Sequence, residues 1–220
     1  MQKLLMPFKK QMLLCGYKNP EYKKHWGYQH YGADISSIQG GAGKDCTVYA
    51  SGNGIGAAVG KDNSLGWGIA IVYDECFNHK TGEVRSLVAR YMHLSECYVA
   101  VGQTVSFATA LATEGKEGTQ DYHLHIEFDT DIKAPLFSPQ VSRGHSFWKK
   151  GTDCTVDPSF VLHTDANREI VEPIYNPAWL NKDDFEIPYA YMNEVDSYKY
   201  LYMAASDKLK KISEIINDMS

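Results

Sequence analysis

The sequence has no Cys-x-x-Cys pair. Its five cysteines, Cys15, Cys46, Cys76, Cys97 and Cys154, are widely scattered, which argues against a thiolate zinc site and against a full disulfide framework. An odd number of separated thiols fits reduced, mostly buried side chains. No stretch approaches the roughly 20 continuous apolar residues of a membrane-spanning helix. The start, Met1 to Lys10, is too short and too charged for the apolar region of a secretory leader, so no signal peptide is visible. Basic residues are outnumbered, 22 against 27 acidic, for a net charge of −5. That excludes nucleic acid, or any anionic surface, as a partner recruited by charge alone. The glycines at 40–43 and 52–56 precede no Gly-Lys-Ser/Thr, so tight turns are expected there rather than a phosphate-binding loop.

What the chain does have is apolar material for a core. Of its 220 residues, 44% are hydrophobic and 12% aromatic, including fifteen tyrosines and four tryptophans. This composition suits a β-rich domain with aromatic-lined grooves. Short strands are expected at Gln11–Cys15, Val48–Ala50, Ala57–Val59, Gly68–Tyr73, Arg85–Tyr91 and Thr104–Ala112, with turns at Asn78–Gly82 and Val99–Gln103. A Tyr/Lys/Pro-rich loop is expected before residue 28. Many strands with little helix imply a mainly β fold built on an antiparallel sheet. Asp157 is placed to cap a short helical turn that begins at Pro158.

Four segments are expected. Residues 1–24 are an extension packing on the core, and 25–164 are the main domain. Residues 165–194 are a Pro/aromatic-rich linker, and 195–220 a C-terminal amphipathic helix. In that tail Val195, Tyr198, Tyr202, Ala205, Leu209, Ile212, Ile216 and Met219 recur at alternating steps of three and four. The helix would be about 36 Å long. It could pair with a second copy, making a homo-oligomer, dock on its own domain, or meet another partner.

Three small motifs carry chemistry. Tyr122 to Phe128 reads as a strand in which His123, His125 and Glu127 share one face and Leu124, Ile126 and Phe128 the other. The apolar set reads as core. Two adjacent imidazoles suit a metal ligand beside a proton-transfer group, or else a solvated strand face. His30 and Asp34 would lie about 13 Å apart on a straight strand. Gly32 between them permits a bend that brings them together. His93, in Tyr91-Met92-His93-Leu94-Ser95, sits at a strand end.

In this order, His30-x3-Asp34, Tyr91–Ser95 and His123-Leu124-His125-Ile126-Glu127 resemble the lysostaphin-like (LytM-type) zinc metalloendopeptidases, hydrolases of bacterial peptidoglycan. Ala50 and Gly54, the run Leu65-Gly66-Trp67-Gly68-Ile69-Ala70-Ile71 and the turn Val101-Gly102-Gln103-Thr104-Val105 extend the similarity over roughly residues 25–130. The resemblance implies the family's antiparallel sheet core, of duplicated-hybrid-motif type. It implies His30, Asp34 and His125 as ligands of one zinc ion per chain, with a water in the fourth position. It implies His93 and His123 as the catalytic pair, one taking the proton and the other facing the developing oxyanion, with His123 the first choice for the proton and the division between them left open. Glu127 would support the site, and His25, His79, His145 and His163 would be surface residues. The expected activity is peptide-bond hydrolysis in peptidoglycan cross-bridges or stem peptides, at the cell wall, with phage- or prophage-type release or a removed leader as the export route. The alternative is a catalytically silent relative that binds and regulates other cell-wall hydrolases. Two departures bear on the groove. Gln120-Asp121-Tyr122 stands where the family runs a small pair into its His-x-His strand, and an insertion covers about 75–85.

Overall fold

Alternation along one strand sorts the molecule into two faces. In Val84–Leu94, Leu87, Ala89 and Tyr91 belong to the main apolar cluster, while Val88 and Met92 belong to a second cluster on the opposite face. Arg90 shares that second face. A computed structural model describes residues 1–37, 46–172, 179–181 and 185 of the chain.

Val84–Leu94 lies inside a nine-stranded sheet. Its main path runs Glu169–Glu172, Lys10–Cys15, Ala33–Ser37, Leu124–Asp129, Val84–Leu94, Gly66–Phe77, Gly54–Asp62, Thr104–Val105, and Thr155–Val156 adds to Leu124–Asp129. Every pairing in this sheet is antiparallel except that of Glu169–Glu172 with Lys10–Cys15. The fold is therefore mainly β, as expected. A three-stranded sheet of Thr47–Tyr49, Ala110–Thr113 and Glu96–Cys97 contributes to the same main cluster. Val48, Leu111 and Ala112 come from this small sheet, and Ile69, Ile71, Leu124, Ile126 and Phe128 from the large one; all are 0% exposed. Burying each large aliphatic or Phe side chain of this kind contributes about 1.5–3 kcal/mol. Arg168 fastens the edge, its guanidinium donating to the carbonyls of Met6, Ala50 and Phe107.

Several local expectations are corrected. Pro20–Trp26 is a helix, not loop. Asn19 accepts from the amides of Glu21 and Tyr22, Pro20 opens the helix, and Gly27 closes it at φ +79°. The strand expected over Thr104–Ala112 is two, Thr104–Val105 and Ala110–Thr113, separated by a turn in which Thr109 Oγ1 accepts from the Ser106 amide. The insertion at 75–85 lengthens the hairpin of Gly66–Phe77 and Val84–Leu94 at its tip. His93 lies at the other end of that hairpin, so the insertion does not line the groove described below. Pro158–Phe160 is the short helical turn capped by Asp157. The heptad seam at 195–220 falls outside the described residues. Among those described, no helix is long and apolar enough to cross a membrane.

Candidate metal centre

Leu124–Asp129 lies between Ala33–Ser37 and Val84–Leu94, and this placement assembles the site. His125 pairs with Asp34 on one side and with Met92 on the other. His125 and Glu127 project from the face opposite Leu124, Ile126 and Phe128, yet they are buried too, at 2% and 0% exposure. His30 precedes Ala33–Ser37 and is fully buried.

Three ligand atoms converge. Asp34 Oδ1 is 3.1 Å from His30 Nε2 and 2.9 Å from His125 Nδ1, and the two nitrogens are 3.0 Å apart. Tetrahedral zinc ligands at about 2.0–2.1 Å from the metal stand about 3.3 Å from one another. The triangle has the edge length of a zinc site.

The outward nitrogens decide what the inward ones can do. A carbonyl oxygen only accepts, so His30 Nδ1–H donates to Gly16 O at 2.9 Å, His93 Nδ1–H to Glu117 O at 2.7 Å and His123 Nδ1–H to Asp121 O at 3.0 Å. His125 Nε2–H points at the Glu127 carboxylate, 3.4 Å away. In the neutral rings the inward nitrogens are then bare lone pairs. Two such nitrogens and a carboxylate oxygen within about 3 Å repel one another unless a proton or a cation stands between them. The donor set is the hard and borderline N/O set that zinc takes. The residues present fit a zinc ion.

The titration behaviour agrees. Burial alone would raise the Asp34 carboxyl, but His30 and His123, with hydrogen bonds from His125 and His30, hold it well below the usual range. Burial alone would lower His125; its contacts with Asp34 and Glu127 instead raise it to about 9. Without a metal, a proton on His125 Nδ1 bridges to Asp34. His93 is pushed down to about 3 by burial, then by His123 and His125. It is neutral at ordinary pH. The ring centroids of His93 and His123 are 5.0 Å apart, and His123 Nε2 is 3.7 Å from Asp34 Oδ1. All five sequence-predicted site residues thus gather at one place. His93 adopts φ +64°, a left-handed backbone uncommon for a non-glycine residue, where Val84–Leu94 ends.

Gly32 serves the site through space rather than through bending freedom. A Cβ there would stand 2.5 Å from Ile126 O and 2.7 Å from His125 Nε2. Glu127 accepts from Ser138 Oγ at 2.7 Å and from Arg90 Nη1 at 3.3 Å, and Arg90 also reaches Asp129 at 3.0 Å. Tyr22 stacks on His30 with centroids 4.5 Å apart, and Trp179 lies edge-on to Tyr22 at 5.8 Å.

The centre opens into a groove of about 1370 Å³. Its lining includes Tyr22, Trp26, Tyr28, Tyr31, Tyr122 and Trp179. That exceeds the usual range of roughly 300–1,000 Å³ for small-ligand pockets.

The sequence matches the model of Peptidase family M23 over residues 28–135. This domain belongs to the M23 peptidase family. The matched span nearly coincides with the stretch that carried the lysostaphin-like motifs. Among solved structures, the M23 domain and its flanks resemble a chain of the SpoIIQ–SpoIIIAH pore forming complex, with TM-score 0.51 and 18% identity over 74% of this chain and 92% of that one. The catalytic domain of lysostaphin from Staphylococcus simulans aligns at TM-score 0.39 and 22% identity, covering 60% of this chain and 77% of that one. A zinc containing peptidase from Vibrio cholerae aligns at TM-score 0.41 and 22% identity, covering 56% and 37%. No curated protein matches the chain.

Some participants left no trace in the sequence. The carbonyls of Gly16, Glu117 and Asp121 orient three rings, and any residue type could supply them. Cys15, set aside for lack of a Cys-x-x-Cys partner, has its sulfur in a group with ligand atoms of His30 and Asp34, all within 4.8 Å of one another. Three histidines read as surface residues are not. His145 bonds the buried Asp62 at 3.0 Å, while the half-buried rings of His79 and His163 meet at 4.8 Å. His25 is exposed, its ring against Trp26 and Trp179.

Proposed function

We propose that this M23 domain is a zinc metalloendopeptidase that hydrolyses peptide bonds in bacterial peptidoglycan, acting on cross-bridges or stem peptides at the cell wall. The observation that carries the reading is the triangle of His30, Asp34 and His125 ligand atoms, 2.9–3.1 Å on a side, with the bare nitrogens of two further histidines beside it. His30, Asp34 and His125 would hold the ion. Bound there, zinc supplies Lewis acidity and lowers the pKa of water toward about 7.

The chain's own residues do the rest. His123 Nε2 takes a proton from the nucleophilic water, its Nδ1–H anchored on Asp121 O. On leaving-group departure the same nitrogen returns that proton to the amine. His93 has a different part from the oxyanion donor its motif suggests. It is neutral with Nδ1–H committed to Glu117 O, so its Nε2 accepts and aims the water rather than donating. The aromatic groove holds the peptide extended across the centre.

A silent, partner-binding domain is the second reading, prompted by the likeness to a chain of the SpoIIQ–SpoIIIAH pore forming complex. The presence of all five site residues favours the enzyme. Digesting purified cell walls of several cross-bridge types and identifying new N-termini by mass spectrometry tests this. The enzyme releases defined N-termini, and His125→Ala releases none. Absence of cleavage in every wall type by zinc-loaded protein, or full cleavage by His125→Ala, would reject the proposal.

A further inference from the structure

One wall of the groove is built from chain that lies past the matched family span of 28–135, and it carries His145. The residues after His145 hold this wall on the large sheet. Trp148 is only 1% exposed, and two rings press on glycines: a Cβ at Gly60 would stand 2.5 Å from Phe147, and one at Gly68 would stand 2.5 Å from Trp148. The buried Asp62 ties the wall to the turn after Gly54–Asp62. Its carboxylate accepts from the Ser64 and Leu65 amides and the Ser64 hydroxyl in the turn. It also accepts from the Phe147 amide at 2.9 Å and from His145 Nδ1 at 3.0 Å. Burial alone would raise the Asp62 carboxyl; hydrogen bonds from His145, Phe147 and Ser64 hold it well below the usual carboxylate range.

A carboxylate only accepts, so His145 Nδ1–H donates to Asp62, and the neutral ring presents Nε2 as a lone pair. Ser64 Oγ lies 3.2 Å from that same Nδ1 and gives its proton to Asp62. These three residues are therefore no nucleophilic triad, in which the serine would face Nε2. The His145 side chain is 14% exposed and borders the groove. Among the described residues no hydrogen bond engages its Nε2. The nearby acceptor Gln140 Oε1 is already taken by the Tyr31 amide at 2.8 Å. His145 is also tied to the catalytic side of the groove. The turn that bonds it packs on Gly118, where a Cβ would stand 2.5 Å from Ser64 O, and the adjoining Glu117 carbonyl receives His93 Nδ1–H.

We propose that His145 sets substrate specificity by accepting, at Nε2, a hydrogen bond from a backbone N–H of the peptide beside the cleaved bond. The inference rests on the hydrolase reading above and adds a contact outside the metal centre. The ring takes up no proton in the reaction; it holds the peptide. A peptide without a donor at that place is disfavoured, because Nε2 then loses water and gains no partner.

The test uses soluble peptides prepared from a cell wall that the zinc-loaded full chain cleaves. His145→Ala should raise KM about tenfold, with kcat within about twofold of wild type and unchanged zinc content. His145→Gln, whose amide oxygen can stand in for Nε2, should recover part of the loss. Replacing single peptide N–H groups by ester oxygen should find one position that costs wild type about tenfold in kcat/KM and costs His145→Ala nothing further. In the His123→Ala chain, which is expected to bind the peptide without cutting it, the ¹⁵N resonance of His145 Nε2 should move with the peptide and stay in place with that ester. Wild-type KM in His145→Ala, equal ester costs in both chains, or an unmoved resonance overturns the contact and leaves the hydrolase standing. A zinc-loaded wild-type chain that cleaves no wall overturns both.

Discussion

Glu127→Gln separates the metal centre from the fold beneath it. The substitution keeps the shape of the side chain and removes its charge. Glu127 is fully buried, and its carboxyl is held below the usual carboxylate range because His125, Arg90 and Ser138 outweigh the burial that would raise it. Its carboxylate accepts His125 Nε2–H at 3.4 Å and so keeps Nδ1 bare toward the ion. Losing a partner of this kind typically weakens metal binding 10- to 100-fold, or about 1.4–2.7 kcal/mol. The fold pays separately. Breaking a buried ion pair outright costs about 3–5 kcal/mol. Arg90 keeps Asp129 at 3.0 Å and the carbonyls of Pro135 and Ala134, so a smaller loss of about 1–2 kcal/mol is expected. Chelator competition reads the first quantity, and melting of the metal-free protein reads the second. A lowered metal-free Tm with wild-type zinc affinity would refute the reasoning, since Glu127 would then act on the fold and not on His125.

Other outcomes follow from the same geometry. Gly32→Ala drives a methyl group into Ile126 O and the His125 ring; zinc affinity should fall about 100-fold or more with about 1–3 kcal/mol of destabilisation, measured by the same two assays. Zinc must displace the proton that His125, raised to about 9, carries when metal-free. Calorimetry in buffers of different ionisation heat should therefore find about one proton released near pH 7.5, with affinity rising about tenfold per pH unit up to about 9. For the metal-free fold the sign is opposite: the stabilisation from His125 is full below the ordinary histidine pKa of about 6.5 and is lost as pH rises through about 9. A melting temperature that climbs over that window would contradict it. Removing zinc from protein saturated at about 1,000 times Kd should cost about 4 kcal/mol, seen as a drop in Tm on adding chelator.

Much of the centre was legible because its chemistry is carried by side chains at fixed spacing. Period-two alternation sorted His125 and Glu127 from Leu124, Ile126 and Phe128, and the strand pairings then brought His30, Asp34 and His93 alongside. The nature of the Gly32 constraint was not legible, because it depends on a ring arriving from residue 125. Nor were the backbone carbonyls that set three imidazole tautomers. The helix at Pro20–Trp26 had a readable signal in Asn19-Pro20, which the surrounding Tyr and Lys residues obscured. Cys15 was hidden for a different reason: alternation assigns it to the core with Leu13, and only the bulge at Leu14 sets it opposite Asp34 in the ladder.

The most direct test of the account is the zinc content of the purified full chain and of its His30→Ala, Asp34→Ala and His125→Ala variants. The account predicts close to one zinc per wild-type chain and close to none in each variant that remains folded. Wild-type protein without zinc after zinc loading, or a folded His125→Ala chain that keeps its full zinc content, would contradict it.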